Sequence, residues 1–260
     1  MGDDVGNDIV RAVSGGIATI TFNRPEKKNA FTHAMYEAAI KALEEAAADK
    51  SVRCVLLTGA GNAFTSGNDL YDFMNNPPSS SDSPVLRFLR TIIDYEKPIV
   101  AAVNGAAVGI GVTMLLHCDL VYASDDAKFT APFVPLGLVP EGASSFLLPR
   151  IAGLAKANEI LLLGEPFDAK FAVAAGVVAR AMPGAELAAF ARAKAERIAA
   201  LPAASLRATK ALLRGKLRDR VHGALNDEAA VFGPRLSSPE AVEAFTAFFE
   251  KRKPDFSQFD

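Results

Sequence analysis

Four short apolar runs, IATITF (17–22), VRCVLL (52–57), PIVAAV (98–103) and DLVYA (119–123), punctuate the chain, with helix-period segments and polar turns between them. Runs of this length read as strands. Strands that alternate with helical patterns pair in parallel, because a crossover returns the chain to the same end of the sheet. The fold class that follows is α/β. From Thr32 onward, Met35, Ala38, Ala39, Ala42, Leu43 and Ala46 mark one face of a helix; Thr32 is placed to cap it, and Asp49 to Ser51 end it. Further helices are expected at 109–117, 143–150 and 154–163, a short strand near 128–130, and a last strand at 177–182 (VVARAM). Beyond that point strand signals stop and an Ala-rich sequence with Leu, Phe, Lys and Arg at helical spacing takes over. The chain therefore divides into a core domain, 1–183, and a helical C-terminal region, 184–260. The segment NNPPSSSDSP (75–84) reads as a mobile surface loop.

Composition removes several kinds of partner and compartment. With 28 Lys+Arg against 30 Asp+Glu, the chain lacks the basic excess that nucleic acid or an anionic membrane would call for. No apolar stretch reaches the ~18 residues of a membrane span. Cys54 and Cys118 lie in apolar runs and are expected to be buried thiols, and His33, His117 and His222 share no ligand spacing, so no metal site is expected. The N-terminus MGDDVGNDIV lacks the basic start and apolar run of a signal peptide, which leads to the expectation of a cytoplasmic protein beginning near Met1. The stretch 206–220 carries Arg207, Lys210, Arg214, Lys216, Arg218 and Arg220 against one acid, Asp219. It is either a solvated helix face or a contact for a phosphorylated ligand or acidic partner.

Three segments carry possible chemistry. GIGVTM (109–114) and GAGNAF (59–64) lack the third glycine of a dinucleotide loop, and neither a Walker sequence nor a GxSxG elbow occurs. TSGNDL (65–70) and NGAAVGIG (104–111) are glycine-bearing turns at strand ends. Either they are ordinary strand-to-helix turns, or two backbone N–H groups converge there to stabilise an oxyanion. The third is FTAPFVPLGLVPEGASSFLLPR (129–150), where Glu141 stands among apolar residues. It is a helix N-terminal acid favoured by the dipole, or a base whose pKa burial raises.

NRPEKKNAF (23–31), GNAFTSGNDLYDF (61–73), the long block 97–129, PLGLVPEGASSFLLPRIAG (135–153) and LLLGEPFDAKFAVAAGVVARAMP (161–183) resemble, in order, successive blocks of the crotonase, or enoyl-CoA hydratase/isomerase, superfamily. AFTAFFEKRKPDF (244–256) is similar to its closing helix. The resemblance implies a spiral of ββα units with a C-terminal helical region that builds homotrimers or dimers of trimers. It also implies an acyl-CoA thioester as substrate, with CoA as part of that substrate and no separate cofactor. By the same resemblance the oxyanion hole is made by the N–H groups of Asn68 and Ile110. Lys28, Ala30, Ser66, Gly67, Asp69, Leu70, Gly109 and Phe133 then line the substrate and CoA path, with Phe73, Met74 and Phe146 setting its depth. Phe249, Lys251 and Lys253 reach a neighbour's CoA site.

Within that superfamily, hydration needs two acid/base groups. The positions where hydratases carry their glutamates hold Thr113 and Phe133 here. Glu141 remains, and VPEGASSFLLPR is similar to the segment of Δ3,Δ2-enoyl-CoA isomerases, the peroxisomal type above all, that supplies a single catalytic glutamate. The resemblance thus implies an isomerase of fatty-acid β-oxidation, moving a double bond from 3-enoyl-CoA to trans-2-enoyl-CoA with Glu141 as sole acid/base. Other enolate-forming reactions of the superfamily, such as those of thioesterases or dehalogenases, and a non-catalytic acyl-CoA-binding role are the alternatives. The terminal Gln258-Phe259-Asp260 is not a peroxisomal address.

Overall fold

The computed structural model describes residues 8–76 and 82–259; residues 77–81, half of the loop expected at 75–84, lie outside the described residues. Two strands, β1 (Ile9–Ser14) and β2 (Ile17–Phe22), form an antiparallel pair, and α1 (His33–Ala48) follows with Thr32 Oγ1 accepting from Met35 N–H as the expected cap. Then one pattern recurs three times. β3 (Cys54–Gly59) leads into β4 (Ala63–Thr65) and the helices α2 (Leu70–Asn75) and α3 (Pro84–Asp94). β5 (Ile99–Val103) leads into β6 (Ala106–Val108) and α4 (Ile110–Thr113). β7 (Leu120–Ser124) leads into β8 (Lys128–Thr130), α5 (Ser144–Ala152) and α6 (Leu154–Asn158). The first strand of each unit joins a six-stranded sheet, β1-β2-β3-β5-β7-β10, and the second a four-stranded sheet, β4-β6-β8-β9. This is the expected spiral of ββα turns, parallel wherever successive units meet.

The large sheet is covered on both faces, which is why its strands read as unbroken apolar runs. Val55, Leu57, Ala101, Val103 and Val121 face the main core. Cys54, Leu56, Val100, Ala102 and Tyr122 face Leu187, Ala191 and Ala195 of α8 (Gly184–Ala199). Both cysteines are free and buried, and burial pushes their thiols up to about 12.

Some elements differ from expectation for local reasons. β1 buries only Ile9 and carries no alternation to betray it. Of the strand expected at 177–182 only β10 (Arg180–Met182) is extended. The N–H groups of Val177 and Val178 both donate to Ala172 O and close the C-terminus of α7 (Ala169–Ala174), which follows β9 (Phe167–Asp168). The basic stretch 206–220 lies on α9 (Ala203–Arg235), and neither of its two readings holds throughout. Lys210 and Arg214 turn inward to Asp119 at 2.7 and 3.2 Å, and Lys210 Nζ also donates to Lys97 O. These partly buried pairs clamp α9 to the chain between α4 and β7. α10 (Pro239–Glu250) closes the molecule.

Candidate active site

β4 and β6 are parallel neighbours, with Ala63 opposite Ala106 and Thr65 opposite Ala107, so both glycine turns leave the small sheet at the same edge. Gly67 has φ +89°, and a Cβ there would stand 2.8 Å from Val108 O; one on Gly111 would stand 2.7 Å from Thr65 Cγ2. The turns interlock at distances only glycine permits. Gly109, at φ +55° and ψ −115°, occupies a conformation closed to other residues although its surroundings are open. Phe31 N–H donates to Gly67 O and Asp69 N–H to Phe31 O, each at 2.8 Å, which turns the intervening Asn68 N–H to the opposite side. Among the described residues neither Asn68 N–H nor Ile110 N–H has a hydrogen-bond partner. The Ile110 side chain is buried in the core, so only its backbone is available to a ligand. The side chain of Asn68 is fixed in turn, its Oδ1 accepting from Tyr36 OH at 2.6 Å.

Glu141 reaches this edge from the loop before α5. Gly142, at φ +69°, passes so close to Thr113 that a Cβ would meet it at 2.9 Å, and Thr113 Oγ1 donates to Glu141 Oε1 at 2.5 Å. Oε2 is left for the cavity. Burial pushes the Glu141 carboxyl up to about 8; the Thr113 hydrogen bond opposes the rise and the neighbouring Glu228 adds to it. Gly142 O accepts from His117 Nε2 at 2.8 Å; burial lowers this imidazole to about 4, so it is neutral and donates. The following Ala143 has φ +58° and cannot cap α5 with its side chain. Glu228 of α9 does so instead, accepting from Ala143 N–H at 2.6 Å, Ser145 N–H at 2.8 Å and Ser145 Oγ at 2.5 Å. Burial raises the Glu228 carboxyl above the usual range.

Asn68 and Glu141 lie together at the wall of a cavity of about 700 Å³. Phe73 of α2 and Val85, Leu86 and Arg90 of α3 form one side, and Leu225 to Pro234 of α9 the other. Of the remaining residues expected at the site, Lys28, exposed at φ +51°, and Ser66 sit on joined loops beside Asn68, with Ser66 N–H donating to Lys28 O at 2.9 Å. Ala30 is buried behind them. Gly67 and Gly109 shape the turns, and Leu70 opens α2. Asp69 is committed to structure, pairing with Arg24 at 2.7 Å and capping α2 through Tyr71 and Asp72 N–H.

Phe133 does not line the cavity: it is packed into the core where a 3₁₀ turn (134–136) begins, and Thr113 is buried behind Glu141, so neither hydratase glutamate position offers a carboxylate and neither is at the wall. Met74 and Phe146 do not line it either; Met74 is half exposed and Phe146 is covered by Arg150. Phe249 and Lys251 stand exposed at the end of α10 and do not reach the cavity of their own chain. Sequence reasoning missed Glu228, Tyr36, Arg90 and Asn226. It also treated Thr113 only as a lost acid, whereas it holds Glu141.

The chain is 42% identical over 246 residues to Enoyl-CoA delta isomerase 2 of Rattus norvegicus, which covers 92% of this chain but only 62% of that protein. It is 34% identical to 1,2-epoxyphenylacetyl-CoA isomerase of Escherichia coli, covering 96% and 98% of the two chains. Among solved structures, an enoyl-CoA hydratase/isomerase from Pseudoalteromonas atlantica superimposes with a TM-score of 0.92 at 44% identity, over 96% of this chain and 99% of that one. Residues 12–259 match the family model described as Enoyl-CoA hydratase/isomerase, and with the spiral fold and the paired turns in place the chain belongs to that family.

Proposed function

We propose that the protein is an isomerase that moves the double bond of 3-enoyl-CoA thioesters to the trans-2 position in fatty-acid β-oxidation. One observation carries the reading. A single carboxyl with a free oxygen, Glu141 Oε2, belongs to the wall of a largely apolar cavity together with Asn68, whose backbone N–H has no partner among the described residues; Ile110, whose N–H is likewise without one, opens α4 on the neighbouring turn and is not itself a lining residue.

The thioester carbonyl accepts from Asn68 and Ile110 N–H, which acidifies C2. Glu141 removes a C2 proton, the electron pair delocalises onto the carbonyl oxygen on one side of C2 and over C3=C4 to C4 on the other, and the same carboxyl returns the proton to C4 as the C2=C3 bond forms. No atom enters or leaves, so neither a water nor a second acid is required. A carboxyl pushed up to about 8 is a stronger base toward the C2 proton, and near neutral pH its ionised and protonated forms lie close enough in free energy for it to serve in both halves. Thr113 keeps Glu141 pointed at the cavity without competing for the proton.

The CoA moiety is proposed to run past Lys28 and Ser66, whose loops border Asn68. Phe249 and Lys251, which their own cavity does not use, complete a neighbour's site in a homotrimer or dimer of trimers. Light scattering is expected to give three or six times the chain mass; a monomer overturns this assembly.

The assay is direct. The purified protein with 3-hexenoyl-CoA is expected to accumulate trans-2-hexenoyl-CoA. Turnover of aromatic or branched acyl-CoAs with 3-enoyl chains untouched would favour a different enolate-forming reaction, a reading that the likeness to 1,2-epoxyphenylacetyl-CoA isomerase keeps in view. Binding of CoA thioesters without turnover would favour a non-catalytic protein.

A further inference from the structure

We propose that Glu228, a residue of α9 far from the glycine turns in sequence, is a positioning residue for Glu141. It holds the 141–145 turn in the conformation that aims Glu141 at Thr113 and the cavity. The inference rests on the reading of Glu141 as the base.

The turn has one bond of its own, Ser144 N–H to Glu141 O at 3.2 Å, which leaves the Ala143 and Ser145 amides to be met from outside. Gly142 and Ala143 are consecutive left-handed residues, and Ala143 is there without the excuse of glycine. The first amides of α5 need an acceptor, yet its N-cap side chain is a methyl and Ser144 Oγ is buried without a partner. Glu228 supplies what is missing. Its two oxygens take Ala143 N–H, Ser145 N–H and Ser145 Oγ, so three donors from the segment directly after Glu141 converge on one carboxyl. From the other side His117 fixes Gly142 O. The turn that follows Glu141 is thereby held at the Gly142 carbonyl by His117 and at the Ala143 and Ser145 amides by α9.

The same carboxyl acts on Glu141 through space, because both line one cavity. The groups that face the pair are Asp227 on α9 itself, Tyr36 OH from α1 beside Glu141, and Arg90 from α3, whose guanidinium donates to Asn226 on the opposite wall. His117 beneath the turn is neutral. None of these stands between the two carboxyls as a hydrogen-bonded partner of both, so a negative Glu228 makes ionisation of Glu141 harder.

Glu228→Gln in the full chain separates positioning from bulk support, since glutamine keeps the volume but offers one acceptor to three donors and carries no charge. With 3-hexenoyl-CoA, kcat is expected to fall about 10- to 100-fold at nearly constant KM. The midpoint of the kcat/KM pH profile is expected to move down by roughly half a unit to one unit. Glu228→Asp, which restores the charge, is expected to return the midpoint to the wild-type value. Unchanged kcat, or a lower kcat with an unmoved midpoint, overturns the proposal. If the glutamine variant does not fold, Ser145→Ala removes one donor and keeps every carboxyl, and kcat is expected to drop about three- to tenfold; an unchanged kcat there overturns it equally. Full activity in Glu141→Gln would refute the reading of Glu141, whereas an inactive Glu141→Gln beside an unaltered Glu228→Gln refutes only the role of Glu228.

Discussion

Glu141→Gln is expected to lower kcat on 3-hexenoyl-CoA by roughly 10³ to 10⁴, the upper range of what a positioned general base contributes. Thr113 can still hold the amide oxygen, so KM should change little. In the wild type, kcat/KM should rise with pH and level off above about 8, as Glu141 loses its proton. Stability should respond in the opposite sense. The folded state holds the Glu141 proton up to about 8 and the unfolded chain only to about 4.5, so the native protein loses stability as pH rises through that window. Glutamine has no proton to lose. The variant should therefore match the wild type near pH 4 and exceed it above pH 8, by about 1–3 kcal/mol once the water reaching the cavity is allowed for. Thermal melts across the pH range measure this. Retained turnover in the variant would remove Glu141 from the chemistry, and a melting difference independent of pH would remove the raised carboxyl.

Gly67→Ala is expected to be the other severe change. Its φ of +89° disfavours any side chain, and the new Cβ would lie 2.8 Å from Val108 O, a backbone atom of β6 that cannot yield without moving the Gly109 turn. The expected result is a loss of roughly 10² to 10³ in kcat, the effect of spoiling an oxyanion-hole donor. A stability cost of about 1–3 kcal/mol should accompany it. Gly153→Ala is the control: φ is also positive, at +78°, but nothing lies within 4 Å and the position is away from the cavity, so stability should fall while kcat holds. Equal losses of kcat in the two variants would show that strain alone, and not the spacing of the two turns, is being read.

The sequence disclosed the parts of this molecule that depend on neighbours along the chain. β2, β3, β5 and β7 were legible because both sheet faces are buried, α1 because Thr32 and its apolar stripe are local, and the two turns because glycine at a strand end has few other uses. β4 and β6 were not, being three residues each and set directly beside the glycine turns, whose signal covers theirs. Glu141 stood out from its apolar company. Glu228 could not, since LNDEAAVF is an ordinary helical stretch and only the docking of α9 over α5 buries its carboxyl. The same docking decided the basic segment: nothing local distinguishes Lys210 and Arg214, which turn to Asp119, from Lys216 and Arg220 beside them. Phe133 was misplaced for a related reason, because position in a motif does not tell which way a ring faces.

The clamp between Asp119 and α9 bears on the order in which the molecule is assembled. The ion pair at Lys210 and the contacts of Glu228 join residues 83 to 91 positions apart, whereas each ββα turn closes on the one just made. Loop closure of that span costs more entropy than the local steps and is gained late in folding. The wall from Leu225 to Pro234 closes over Glu141 only through contacts of this long span, so the burial that raises its carboxyl depends on the docking of α9 as well as on the spiral that carries the glycine turns.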